Sequence, residues 1–136
     1  MIDILLATYN GEAFVEEQIR SIMAQTFSQW RLLVHDDGSE DHTIAIIQRL
    51  CHEDKRIVLI QDEEQHMGVA RHFIHMLQYA SAPFCMFCDQ DDIWLPNKVE
   101  KMYAAIQQYD SSLPQVVYSN AYLWNPEQGI LSNKNT

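Results

Sequence analysis

Three carboxylates stand within four positions at Asp89-Gln90-Asp91-Asp92, directly after the apolar run Phe84-Cys85-Met86-Phe87-Cys88. Five consecutive apolar residues predict a strand buried on both faces, as in the middle of a parallel sheet. Carboxylates crowded at the end of such a strand repel one another, so water, raised pKa values or a bound cation must offset the repulsion. A hard divalent cation, Mg²⁺ or Mn²⁺, suits these oxygen ligands when substrate phosphates complete its coordination.

Two other apolar runs also end in polar residues, at Thr8-Tyr9-Asn10 and at Asp36-Asp37-Gly38-Ser39. In an open α/β sheet the carboxyl ends of the strands lie at one edge, where ligands bind. A nucleotide there can stack its base on Tyr9, donate a base N–H to Asp37 and bind a metal at Asp91 through its phosphates. We expect one aspartate of the 36–37 pair to form an Asx-type turn that caps the next helix and the other to contact the base.

The spacing of apolar residues predicts strands and helices in alternation. The predicted strands are Ile2–Thr8, Trp30–His35, Arg56–Gln61, Phe84–Cys88 and Gln115–Ser119. The predicted helices are Glu12–Gln25, His42–His52, Val69–Ala80 and one that starts near Pro96, and the tail from Ala121 is predicted to be a loop. Such alternation is typical of an α/β fold with a mostly parallel, Rossmann-like sheet and helices on both faces.

Composition narrows the range of functions. The chain has 136 residues, is 47% hydrophobic and has a formal net charge of −10. An acidic chain with nine Lys and Arg residues is a poor candidate for nucleic-acid binding. A bound metal is therefore expected to link the chain to an anionic nucleotide. No apolar run approaches the roughly 20 residues of a membrane span, so no transmembrane segment is expected.

The three cysteines, Cys51, Cys85 and Cys88, are odd in number, which disfavours a disulfide framework and fits a reducing compartment. Cys85 and Cys88 lie three positions apart on a predicted strand. They would point to opposite faces of the sheet and could not share a metal.

Four motifs, in order, are Ala7-Thr8-Tyr9-Asn10-Gly11-Glu12, Asp36-Asp37-Gly38-Ser39-Glu40-Asp41, Gly68-Val69-Ala70-Arg71 and Asp89-Gln90-Asp91-Asp92-Ile93-Trp94-Leu95-Pro96. Together they resemble glycosyltransferase family 2, whose members have the GT-A fold. The last motif is most similar to bacterial polysaccharide and rhamnosyl transferases of that family. The resemblance extends from Ile2 to about Tyr122.

The resemblance implies a role for each matching residue in the base pocket. Ala7, Thr8 and Tyr9 would line this pocket, with Glu12 close by at the start of the first helix. Asp37 would accept the N–H of the base.

The remaining matches are implied to bind the diphosphate and the metal. Arg71, in the helix that starts after Gly68, would approach the sugar-nucleotide phosphates. Asp89-Gln90-Asp91 would be the D-x-D element, with Asp91 the direct metal ligand and Asp89 nearer the ribose or the donor sugar. The cofactor would be Mn²⁺ or Mg²⁺.

The implied activity is that of a metal-dependent inverting transferase acting in bacterial surface polysaccharide synthesis. The donor would be a UDP- or dTDP-sugar and the acceptor a saccharide or a lipid-linked saccharide. The implied location is cytoplasmic, including a peripheral position at the inner face of the membrane. The general base is expected beyond Thr136, so the chain is expected to be the truncated, donor-binding part of a longer enzyme.

Three alternative functions share parts of this pattern. A non-catalytic nucleotide- or phosphate-binding module would use the same pocket without a general base. A receiver domain would need paired acids after the first strand, where Thr8-Tyr9 stands. A nucleotidyltransferase would need a glycine-rich basic loop in place of Asn10-Gly11-Glu12.

Several residues near these motifs depart from the family pattern or are expected to have structural roles. His66 and His72 stand where family members often have Asn, which leaves the donor-sugar preference open. His72 and His75 are expected to face solvent or to pack lightly, and Asp62-Glu63-Glu64 to be a solvated loop. Trp94 is expected to pack behind the metal-binding loop.

Overall fold

The computed structural model describes residues 1–133 and forms two compact units, Met1–Asn97 and a second that begins at Lys98. The first unit contains β1 (Ile2–Thr8), α1 (Val15–Met23), β2 (Trp30–Asp36), α2 (Thr43–Glu53), β3 (Ile57–Leu59), α3 (Val69–Leu77) and β4 (Phe84–Asp89). The second contains α4 (Lys98–Ile106) and the antiparallel pair β5 (Tyr122–Asn125) and β6 (Gly129–Asn133).

The four strands of the first unit form one parallel sheet in the order β3-β2-β1-β4. Its register aligns Thr8 with Asp36 and Ala7 with Asp89, so three strands end side by side. β1 lies in the interior of the sheet, and Ile4, Leu5 and Leu6 have no exposed surface. The predicted parallel α/β architecture is therefore confirmed.

Helices cover both faces of this sheet. On one face, Met76 of α3 packs in a core cluster with Leu5 and Leu33. On the other, Gln18 of α1 contacts Cys88, which is the register partner of Leu6. Because neighbouring residues of a strand point to opposite faces, α1 and α3 lie on opposite sides of the sheet.

β4 differs from its prediction as a strand in the middle of the sheet. It is the outer strand of the described sheet, and its residues alternate between partly buried and exposed up to Cys88. The Phe87 side chain is 55% exposed. The apolar run correctly predicted a strand, but apolar composition does not determine whether a strand has one neighbour or two.

The prediction for the C-terminal part was wrong in two respects. Residues 115–119 form no strand, and Val116 and Tyr118 are 88% and 86% exposed. Instead β5 and β6 pair within the segment that was predicted to be a loop, with residues 134–136 lying outside the described ones. A strand needs a neighbour for its backbone hydrogen bonds, and an apolar pattern alone cannot show which segment finds one.

Asp3 joins three segments at the amino end of the sheet, opposite the strand ends described above. Its carboxylate is fully buried and accepts hydrogen bonds from the Arg31 guanidinium at 2.9 Å. The backbone N–H groups of Ser81 and Ala82 donate to the same carboxylate at 2.7 and 3.0 Å. Burial opposes ionisation, but these donors hold the pKa of Asp3 below its ordinary value.

We expect Asp3→Ala to lower the free energy of unfolding at pH 7 by about 3 kcal/mol, because Arg31 and two backbone N–H groups lose their buried, charged acceptor. Urea denaturation measures the change, and Glu17→Ala on the exposed side of α1 is the matched control. The folded-state pKa of Asp3 is depressed, so its contribution is complete above about pH 4 to 5 and is lost as pH falls. Equal stability of the two variants would contradict this role.

Candidate functional site

A cleft of about 310 Å³ opens at the carboxyl edge of the sheet. It is lined by Ala7, Thr8, Tyr9, Asp37, Gly68, Val69, His72, Phe73, Asp89, Gln90 and Asp91. The ends of β1, β2 and β4 and the first turns of α3 thus meet around one space. All the residues predicted for the site line this cleft except Glu12 and Arg71.

Asp36 shapes the turn after β2. Its carboxylate accepts hydrogen bonds from the N–H groups of Gly38 at 3.0 Å and Ser39 at 2.6 Å, and from the Thr8 hydroxyl at 2.8 Å. Gly38 has a φ of 96°, which a residue with a side chain rarely adopts. Asp36 is therefore the member of the aspartate pair that forms the turn, but the N–H groups it binds belong to Gly38 and Ser39 and not to α2, which begins at Thr43.

Asp37 is buried and holds the loop that leads into α3. Its Oδ1 accepts from the Met67 N–H at 2.8 Å and its Oδ2 from the Gly68 N–H at 3.0 Å. Its own N–H donates to the Thr8 carbonyl at 2.9 Å, which extends the pairing of β1 with β2. The implied contact with a base N–H stays a prediction, and the structure adds a second task for the same carboxylate.

Gln90 ties the acidic loop to the end of β1. Its side-chain oxygen accepts from the Tyr9 N–H at 2.9 Å, and its nitrogen donates to the Tyr9 carbonyl at 2.9 Å. A side chain on Gly11 would collide with this amide. Gln90, which stands between Asp89 and Asp91, thus fixes the distance between the two strand ends.

The loop that follows Gln90 is held by α1 and by Gln25, which lies two residues after this helix. The hydroxyl of Ser21 accepts the Trp94 N–H at 3.1 Å, and Gln25 donates to the Leu95 carbonyl at 2.8 Å. Buried Gln18, with its amide oxygen toward Trp94 Nε1 at 3.2 Å, donates to the Asp92 carbonyl. Trp94 is 6% exposed, which agrees with its predicted place behind the loop.

The contacts of these three polar residues were not predicted from the sequence. Gln18 and Ser21 of α1, and Gln25 two residues after it, recur at intervals of three and four, so they continue one polar stripe beside the apolar stripe of the helix. Polar residues at that spacing normally face solvent. Their burial depends on where the loop after β4 passes, and the sequence of α1 contains no signal of that.

Asp89 and Asp91 differ from the other acids of the cleft. Both are exposed, and within residues 1–133 neither carboxylate has a hydrogen-bond or ion-pair partner. Asp36 and Asp37 are occupied by backbone and side-chain donors, whereas these two carboxylates are open to a ligand. They are the oxygen ligands that a divalent cation would require.

Two predicted site residues lie outside the lining. Glu12 accepts from the His42 N–H at 3.0 Å and from His42 Nδ1 at 2.8 Å, so it joins the loop after β1 to the start of α2. Arg71 is exposed in the first turn of α3, next to His72, which does line the cleft. The roles implied for Glu12 and Arg71 stay predictions.

A histidine cluster beside the cleft contradicts the expected solvent-facing positions. His72 is 3% exposed, and its Nε2 lies 2.7 Å from Nδ1 of buried His35. Nε2 of His35 lies 2.8 Å from Oδ1 of Asp62, and Nε2 of His75 lies 2.7 Å from Oδ2. Asp62 is therefore not part of a solvated loop. β2 and α3 enclose its carboxylate, and the sequence spacing of these residues gives no sign of that.

Asp62 is saturated by donors, which argues against a metal at this cluster. The ligand atoms of His35, Asp62 and His75 lie within 4.8 Å of one another. However, the Tyr79 hydroxyl and the Glu64 N–H also donate to the carboxylate, at 2.7 and 3.0 Å. Burial opposes ionisation of Asp62, but these hydrogen bonds outweigh it and hold its pKa well below the ordinary range.

Comparison with known proteins identifies the family. The model of glycosyl transferase family 2 matches residues 3–134. The chain belongs to this family. Among residues 1–133 of this family 2 chain, no helix has the length and apolar composition that a membrane span requires.

The family 2 chain is similar to bacterial enzymes that build lipid-linked saccharides. It is 39% identical over 100 residues to the Escherichia coli UDP-Glc:alpha-D-GlcNAc-diphosphoundecaprenol beta-1,3-glucosyltransferase WfgD, a match covering 74% of this chain and 38% of WfgD. It is 31% identical over 91 residues to the Campylobacter jejuni GalNAc(5)-diNAcBac-PP-undecaprenol beta-1,3-glucosyltransferase, covering 67% of this chain and 29% of that one. The chain spans less than half of the length of either relative.

Solved structures confirm the GT-A fold of this family 2 chain. The Staphylococcus aureus TarS 1-349 complex with UDP-GlcNAc superposes with a TM-score of 0.70 at 25% identity, covering 79% of this chain and 31% of TarS. The mannosyltransferase PcManGT from Pyrobaculum calidifontis superposes with a TM-score of 0.63 at 23% identity, covering 68% of this chain and 28% of that one.

We expect Asp37→Ala to lower the free energy of unfolding by about 2 kcal/mol, because two N–H groups lose a charged acceptor. Amide hydrogen exchange should accelerate at Met67 and Gly68 in particular, since both donate to Asp37. Glu63→Ala, in the exposed part of the same loop, is the control. Unchanged exchange at both amides would show that the loop does not depend on Asp37.

Proposed function

We propose that this chain is the donor-binding part of a metal-dependent, inverting glycosyltransferase of bacterial surface polysaccharide synthesis. The donor is a UDP- or dTDP-sugar, and the acceptor is a saccharide or a lipid-linked saccharide. The observation behind the proposal is a pair of carboxylates, Asp89 and Asp91, that have no partner among residues 1–133 and lie in a cleft built from three strand ends. The names of WfgD and the Campylobacter enzyme support a glucose donor and an undecaprenol-linked acceptor.

The two open carboxylates, Asp89 and Asp91, fit the oxygen ligands that a hard divalent cation prefers. Asp91 would ligate Mn²⁺ or Mg²⁺ directly, with Asp89 as a further ligand or as a contact to the donor. When bound, the cation would neutralise the diphosphate and stabilise the charge that develops on the leaving group. An acidic cleft would repel the diphosphate without such a cation, because Asp37, Asp89 and Asp91 line it together.

The other residues would orient the nucleotide. The Tyr9 side chain is 49% exposed at the cleft and presents a ring on which a base can stack. Asp37 keeps lone pairs beyond those used by Met67 and Gly68, so it can still accept a base N–H. Gln90 holds the Tyr9 backbone beside the acidic pair, which keeps the base site and the phosphate site at a constant separation.

Inversion at the sugar requires a base that deprotonates the acceptor hydroxyl. We expect this base in sequence that follows the described residues in the longer relatives. Because the proposed acceptor is linked to a membrane lipid, we place the full enzyme at the cytoplasmic face of the membrane, in peripheral contact with it.

We expect calorimetry to detect binding of UDP-glucose or a dTDP-sugar that requires Mn²⁺ or Mg²⁺ and weakens at least about tenfold in Asp91→Ala, a loss of about 1.4 kcal/mol or more. The matched control is Asp110→Ala in the second unit, where the carboxylate bonds Ser112 and does not line the cleft. Both variants should unfold at the temperature of the original chain to within a few degrees.

Two outcomes would contradict the proposal. Nucleotide-sugar binding that is indifferent to both the metal and Asp91→Ala would indicate a different nucleotide-binding module on the same fold. Equal weakening in Asp110→Ala would show that the effect comes from net charge and not from a specific ligand.

A further inference from the structure

A chain of hydrogen bonds runs from partly buried Asp62 through buried His35 to His72, which lines the cleft. Asp62 Oδ1 lies 2.8 Å from His35 Nε2, and His35 Nδ1 lies 2.7 Å from His72 Nε2. His35 and His72 are 2% and 3% exposed. The three residues come from the loop after β3, from β2 and from α3, so tertiary packing alone brings them together.

The carboxylate determines where the protons of this chain lie. Ionised Asp62 accepts hydrogen bonds and cannot donate, so His35 Nε2 must carry the proton. With both rings neutral, His35 Nδ1 is an acceptor and receives the proton of His72 Nε2. Nδ1 of His72 is then left without a proton and acts as an acceptor.

One added proton changes the hydrogen-bonding role of His72 Nδ1. If the charge resides on His72, its Nδ1 carries the new proton. If the charge resides on His35 instead, the proton of His72 Nε2 has passed to His35 Nδ1. The added proton is again on Nδ1 of His72. In both cases Nδ1 of His72 changes from an acceptor into a donor, and Asp62 balances the charge of the pair.

The charged groups around His72 determine whether its ring is protonated. Burial, followed by His35 and to a smaller extent His75, lowers the pKa of His72, whereas Asp37 and Asp36 oppose the shift. His72 is consequently neutral in the free protein at neutral pH. Two further carboxylates, Asp89 and Asp91, line the same cleft.

We propose that the histidine pair His35–His72 takes up one proton when a nucleotide sugar enters the cleft, and that His72 Nδ1–H then donates a hydrogen bond to a diphosphate oxygen. Asp62 is the positioning residue that orients both rings and balances the charge. This inference rests on the proposed function, since it assumes that the cleft binds a nucleotide diphosphate. The proton comes from solvent, and no covalent bond of the ligand changes.

The test is calorimetry of UDP-glucose binding to the 136-residue chain with Mg²⁺ at pH 7.5 in PIPES, HEPES and Tris, which differ in ionisation enthalpy. The slope of the observed enthalpy against that of the buffer gives the protons taken up per ligand. We expect about 0.5 to 1 proton, with affinity falling by up to about tenfold per pH unit as pH rises. UDP-glucose is the probe because its diphosphate has no group that titrates near pH 7.

Three variants locate the proton. His72→Asn should bind UDP-glucose without proton uptake and with little pH dependence, and Asp62→Asn should reduce the uptake. His52→Asn is the control, because His52 is exposed on α2 and bonds the Gln48 carbonyl. If Asp62→Asn unfolds, ¹⁵N shifts of the imidazoles in the unmodified chain still report which nitrogens of His72 are protonated, with and without UDP-glucose.

The outcomes separate this inference from the proposed function. Three results would overturn the histidine mechanism alone. They are metal-dependent binding without proton uptake, proton uptake that persists in His72→Asn, and proton uptake that is lost in His66→Asn instead. The absence of any nucleotide-sugar binding would overturn the proposed function and this inference with it.

Discussion

The parallel register of β1 with β2 and β4 is the constraint on which the site depends. It aligns Thr8 with Asp36 and Ala7 with Asp89, so the carboxyl ends of three strands open onto one cleft. Backbone hydrogen bonds and the buried side chains of β1 fix this alignment, and a shift of one residue would turn every side chain to the opposite face. The chemistry of the cleft therefore depends on how the apolar core packs.

Around this edge, the aspartates divide into two classes. Asp36, Asp37 and Asp62 each accept several hydrogen bonds from the protein, and they hold a turn, a loop and a pair of histidines. Asp89 and Asp91 have no partner within the described residues and face the cleft. Saturated carboxylates are structural supports, whereas open carboxylates beside one another favour a cation. Under the proposed function, this division would let an acidic chain bind an acidic ligand through a cation.

Some of the residues that hold Asp89 and Asp91 in place lie outside the sequence motifs. Ser21 of α1 and Gln25, just after this helix, hold the loop after β4, and Gln90 holds the end of β1. Periodicity in the sequence predicted α1 and its apolar face, but not the contacts of its polar stripe. The error for β4 has a related cause, because an apolar run of five residues fits an outer strand as well as an inner one. Residues 115–119 were wrongly predicted as a strand because β-propensity is local, whereas strand pairing is not.

By itself, the sequence determined the α/β class, the order of elements up to α4, the family and most of the residues that line the cleft. These follow from apolar periodicity and from motifs at strand ends, both of which are local properties of the chain. Only the tertiary structure decided which acids are saturated and which remain open. It also decided that His35, Asp62, His72 and His75 meet, because contacts between residues up to 37 positions apart depend on how α3 packs against the sheet.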